Sequence, residues 1–225
     1  MKGKFFKKVL SIIVVLIVVT ASISCKDSLD LSIYVSELRL GIYEGEKENV
    51  TLTVYAEERE DPFIIDGFVG ELKKVLIVKL SSQGKVIDSA SVSLEFDGVN
   101  YKGDFEFNPL NGKYCTEIFV DKLPTSPIIN ATFNCGEESV SLELKTKINS
   151  DNLSYSEVLE SVRKNDSQIV KELFNNTNVS TEIHIRIISD KSKNYYYVGL
   201  SEKSGKTHAY LVDGITGEVL AKKST

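Results

Sequence analysis

The sequence predicts a mostly β protein, an immunoglobulin-like antiparallel β-sandwich followed by a small α+β unit. From Leu29 to about Ile148, short runs alternate apolar and polar residues, the period of a strand with one buried face. Turn-forming residues bound each run. After Asn149 the period changes to the three-and-four spacing of an amphipathic helix, and alternation returns at Thr181.

The candidate strands of the first part are "LSIYVSELRL", "NVTLTVYAEE", "KKVLIVKLSS", "ASVSLEFDG", "YKGDFEFNP", "KYCTEIFVD", "PIINATFN" and "SVSLELKTK". Gly-Glu-Lys-Glu-Asn at 45–49, Ser-Gln-Gly-Lys at 82–85, Asp97-Gly98 and Asn111-Gly112 connect them, and Asp-Gly and Asn-Gly suit tight hairpins that need positive φ. Eight short strands in about 120 residues suggest two packed sheets. The chain has no Trp, and its Cys pair is too closely spaced for the inter-sheet bridge of antibody domains.

Residues 149–153 form a polar linker. Ser154 then caps a helix and Glu157 reaches back to complete a capping box. Tyr155, Val158, Leu159, Val162, Ile169, Val170, Leu173 and Phe174 form its apolar stripe, and Asn165-Asp166-Ser167 bends or splits it. "TEIHIRIIS", "NYYYVGLS", "KTHAYLVD" and "EVLAK" follow as an antiparallel meander whose apolar face the helix stripe can cover. In the last turn Asp213 can accept turn amides, and Gly217 can supply positive φ.

The N-terminus reads "MKGKFFKKVLSIIVVLIVVTASISC": four lysines, an apolar run from Val9 to Val19, then small residues. That is a secretory signal over residues 1–24, and the run is shorter than the about 20 residues of a comfortable membrane span. Ser22-Ile23-Ser24-Cys25 resembles the lipobox of bacterial lipoproteins, with Ser22 standing where Leu is usual. The resemblance implies lipidation of Cys25 and a chain held extracytoplasmically at the cell membrane. A plain signal peptidase cut near the same place would give a secreted protein instead. The domains expected are thus a signal at 1–24, a sandwich at 25–148, a linker at 149–153 and an α+β unit at 154–225.

Without the leader the chain carries 23 basic and 32 acidic residues, a charge of about −9. That disfavours nucleic acid, which needs a positive face. Setting Cys25 aside leaves Cys115 and Cys135. A hairpin turning at Leu123–Pro127 would set them opposite each other, and a disulfide closing that loop would be worth about 3 kcal/mol. Two reduced, buried thiols are the other reading.

No HExxH, GxSxG or CxxC occurs, so neither a catalytic residue nor a cofactor is assigned. His184 and His208 could approach if their strands paired suitably, but no further ligand for a metal is evident. The acidic run Glu44–Glu71 could hold calcium, yet it lacks a DxDxDG loop, and solvated charges explain it equally. The sequons at Asn49, Asn130 and Asn178 have no role in a bacterium. The long connection "EEREDPFIIDGFVGE", residues 57–71, sets Phe63, Ile64, Ile65, Phe68 and Val69 among acids. It either offers an apolar tip to a protein partner or caps one end of the sandwich.

Tyr210, Val212, Asp213, Thr216, Gly217, Val219 and Leu220, together with the preceding helix, resemble the PepSY-like domains of bacterial envelope proteins over about residues 154–222. The resemblance implies a regulatory role at the envelope, such as restraining a separate peptidase. A structural or carbohydrate-binding surface module is the alternative. Labelling cells with a palmitate analogue should tag the chain, and Cys25→Ala should abolish the tag; a labelled Cys25→Ala variant would exclude the lipid anchor.

Overall fold

The computed structural model describes residues 29–82, 89–109, 113–174 and 180–225. Cys25 and the signal expected at 1–24, the turn residues Gln83 to Lys85, Asn111-Gly112 and the Asn178 sequon lie outside them. Leu31–Thr225 form one compact unit, mostly β. Among the described residues no helix is long and apolar enough to cross a membrane.

A single turn of 3₁₀ helix, Leu31–Tyr34, leads into β1 (Val35–Lys47). The first layer adds β2 (Val50–Glu60), β3 (Leu72–Ser82), β6 (Glu106–Asn108) and β7 (Lys113–Phe119). The second holds β4 (Ala90–Phe96), β5 (Val99–Asp104), β8 (Ile128–Cys135) and β9 (Glu138–Thr146). The expected strand "YKGDFEFNP" is divided into β5 and β6 at Phe105, whose N–H bonds to the Ala90 carbonyl. Leu52, Val54, Leu76, Val78, Leu80, Leu94, Ile129 and Leu144 fill the space between the layers with almost no exposure.

β1 joins both layers. It pairs antiparallel with β2 along its length and with β9 at Tyr43 and Glu44, so the two layers are continuous on that side, as in a barrel. Gly45 makes that crossing possible, because any Cβ there would collide with the Glu143 carbonyl.

The C-terminal part is β10 (Thr181–Asp190), β11 (Lys193–Glu202), β12 (Thr207–Asp213) and β13 (Val219–Ser224), paired antiparallel in sequence order. Its first strand also pairs in parallel with the start of β1, Val35 to Arg39. One sheet therefore runs β6-β7-β3-β2-β1-β10-β11-β12-β13.

The helical stripe is divided as expected. Ser154 caps α1 (Tyr155–Asn165) in a capping box with Glu157, the chain breaks at Asp166, and α2 (Ser167–Phe174) follows. Val158, Leu159, Val162, Val170 and Phe174 are buried, as are Ile183, Ile185, Ile187, Tyr196, Val198, Leu200, Tyr210 and Val212 on alternate positions of the strands. The closing hairpin forms as its residues dictate. Asp213 Oδ1 accepts from the amides of Ile215 and Thr216 and from the Thr216 hydroxyl, which holds this carboxyl below its ordinary range. Gly217 has φ +73°, and a Cβ there would strike Ser161 of α1.

The cysteine bridge is a correction. Cys115 faces Lys79 and Glu106, Cys135 faces Ala90 and Glu138, and both thiols are free. After β7 the chain crosses to the other layer instead of turning back on itself. The crossing is tied by Val120 N–H to the Lys74 carbonyl and by Tyr43 hydroxyl to the Pro124 carbonyl. Alkylation of denatured protein without reductant should therefore modify both Cys115 and Cys135; protection that vanishes on adding a reductant would restore the bridge.

Candidate functional site

The alternation of three runs places ionisable side chains on the sheet face opposite the helices. Register sets Glu37 beside Arg59 and His184, and Arg39 beside Glu57 and Arg186. Arg186 Nε and Nη2 donate to the two oxygens of Glu37. Arg39 donates to Glu57 at 2.8 Å and lies 3.8 Å from Glu37, while Arg59 bridges Glu57 at 3.3 Å and Glu117 at 2.5 Å. Three carboxylates and three guanidiniums thus alternate across β7, β2, β1 and β10.

Glu57 and Glu37 are buried within this strip. Their bonds offset the cost of burying the charges, and deleting one partner from such a pair typically costs about 3–5 kcal/mol. Bonding to Glu37 raises the Arg186 pKa above its ordinary value, with burial working against it. Arg39 and Lys79 both lie over the Tyr55 ring, at 4.7 and 4.8 Å. Burial, then the fields of Arg39 and Lys113, lower the Lys79 pKa.

The long connection between β2 and β3 lies at one end of this strip and is fastened by its backbone. Glu182 on β10, fully buried, accepts the Asp66 and Gly67 amides through Oε1 at 2.8 and 2.9 Å. Glu60 accepts the Gly70 amide, and Asp66 accepts the Phe68 amide. The Phe63 ring meets the His184 imidazole edge-on at 5.1 Å. Phe63, Ile64 and Phe68 are 44%, 56% and 76% exposed, and Ile65 is half-buried. The four residues expected at a partner-binding tip therefore share one loop, with three of them facing solvent.

The two histidines do not meet. Leu200 pairs with Ile183 and His208, whereas its neighbour Gly199 pairs with His184 and Ala209, so the imidazoles occupy opposite faces of the sheet. His208 hydrogen-bonds Ser224 Oγ at 3.0 Å and lies 3.7 Å from Glu202. It lines a cavity of about 470 Å³ with Asp166, Gln168, Tyr210 and Lys222. Burial, with Asp166 alongside, pushes the Tyr210 hydroxyl up to about 12. Among the described residues no three His, Cys, Asp or Glu side chains are grouped to hold a metal. In the acidic run, Glu44 pairs with Lys147 and Asp61 with Lys73.

Reading the sequence missed the strip and Glu182. The local signal was present in "SELRL", "AEERE" and "EIHIR", each with ionisable residues two apart and hence on one strand face. What was missing was the pairing that brings these faces together.

Burial pushes the His184 pKa below 6.5; Glu37 opposes this, Arg186 reinforces it and Glu182 opposes it. The folded chain therefore resists protonating this ring, and unfolding releases it to bind a proton. Its stabilising contribution is whole above pH 6.5 and is lost as pH falls from there toward the depressed folded value. Burial raises the Glu60 pKa, acting with the opposite sign at lower pH. Urea denaturation should show stability falling from pH 7 to 5.5, with His184→Gln reducing the fall; an equal fall in both proteins would remove this account. Compared with known proteins, the chain matches no family model, no curated protein and no solved structure.

Proposed function

We propose that this chain is a non-enzymatic interaction protein of the bacterial cell envelope, exported by its signal at 1–24, held at the membrane through a lipid on Cys25, and engaging a protein partner through the Phe63–Phe68 tip. The carrying observation is the tip itself. Ile64 and Phe68 stand in solvent on a loop whose backbone is tied to buried carboxylates. A segment serving only to cap the sandwich would turn these side chains inward, because burying each stabilises by about 1.5–3 kcal/mol. A tethered loop has little conformational freedom left to lose on binding, so more of that burial is kept as affinity.

The α1–α2 cover, the meander and the Asp213–Gly217 turn support a PepSY-like reading of residues 154–222. Its implied role is to restrain a peptidase or regulate another envelope activity. A two-chain lipid anchor on Cys25 would hold the molecule firmly at the bilayer. With a photo-reactive residue at position 64, crosslinking in intact cells should yield a discrete protein adduct, and Phe68→Ser should abolish it without changing the melting temperature. Absence of any adduct, or one indifferent to Phe68→Ser, would overturn this reading.

A further inference from the structure

The charges under the loop are not balanced like those of the strip. Each arginine of the strip already lies against a carboxylate. Glu182, Glu60 and Asp66 are different: among the described residues none has a cationic side chain within ion-pair distance. Glu182 spends Oε1 on two amides, while Oε2 is buried with no hydrogen-bond partner. The His184 Nε2 nearby is equally buried and unpartnered. Burial is the main reason that Glu60 is harder to ionise; the Gly70 amide opposes it, and the fields of Glu182 and Asp66 add to it. Lys73 at the loop's end is occupied by Asp61 at 2.8 Å.

Glu182 and Glu60 are buried while Asp66 is exposed on the loop above them, so a cation that reaches Asp66 from solvent also offsets part of the cost of the two buried carboxylates. The apolar tip with this negative base is thus complementary to a surface that is both apolar and cationic. Resting on the reading above, we infer that the partner's docking segment carries a Lys or Arg side chain beside large apolar residues. The cation lies against Asp66, in the field of Glu60 and Glu182, while the apolar residues cover Ile64 and Phe68. The same acidic base repels an anionic bilayer, so the tip is a protein-binding rather than a lipid-inserting loop.

The test uses the full chain in detergent and a displayed library of random dodecapeptides. Selected peptides should combine Lys or Arg with Leu, Ile, Phe or Trp, and should weaken roughly tenfold between 50 and 500 mM NaCl. Binding should be lost in Phe68→Ser. It should fall roughly tenfold in Glu182→Gln, which keeps an acceptor for the two loop amides but removes the charge. Asp66→Asn should weaken it in the same direction, and thermal melts should show each variant folded.

Selected peptides without cations, or binding indifferent to salt and to Glu182→Gln, would overturn the inference. So would Phe68-dependent binding to phosphatidylglycerol vesicles, a dimer in sedimentation that Phe68→Ser dissolves, or a calcium-induced rise in melting temperature that Glu182→Gln abolishes. If a loop-dependent adduct forms in cells while any of these results is obtained, only the partner's chemistry is wrong. If neither adduct nor peptide depends on the tip, the proposed function falls with it.

Discussion

The fold depends on a single strand having three partners. β1 is bonded along one side to β2, while its other side is shared between β10 near its start and β9 near its end. The change of neighbour straddles an irregularity between Arg39 and Gly41. An extra residue in a strand bends it and adds twist. That bend lets one strand finish a barrel-like sandwich and also begin a meander, so the helices, the loop anchor and the charged strip all hold their places by reference to β1.

The strip enforces this arrangement. Side chains alternate faces with a period of two, so a slip of one residue between β1 and β2 would carry Glu37 and Arg39 away from Arg59 and Glu57. Buried charges would then lose their partners. A slip of two residues keeps the faces, but it sets Glu37 opposite Glu57 or Arg39 opposite Arg59, a mismatch that an apolar strip would not feel. Buried ion pairs add little net stability compared with good apolar packing. Here they select one register among several, and the parallel contact with β10 is fixed by the same means through Arg186 and Glu37.

Local periodicity made most elements legible. Alternation located most strands, although the expected first strand begins in the 3₁₀ turn Leu31–Tyr34 and β1 runs on to Lys47 through the expected connection at 45–49. The Ser154 and Glu157 box set the start of α1, and Asn165-Asp166-Ser167 marked the break before α2. The Asp213 turn was readable because its own side chain makes the bonds that shape it. Partners far apart in sequence were not readable. Nothing local distinguishes a hairpin after β7 from a crossing, which is why Cys115 and Cys135 were set opposite each other on strands that do not pair. The apolar tip residues were found from composition, but Glu182 lies more than a hundred residues from the amides it holds.

That anchor grips peptide groups and ignores side chains. Glu182 and Glu60 hold the amides of residues 66, 67 and 70, none of which supplies the exposed bulk of the tip. Ile64 and Phe68 can therefore be exchanged for other residues without loosening the loop. The scaffold thus separates two tasks: the bonds that fix the course of the loop's backbone are independent of which side chains the loop exposes.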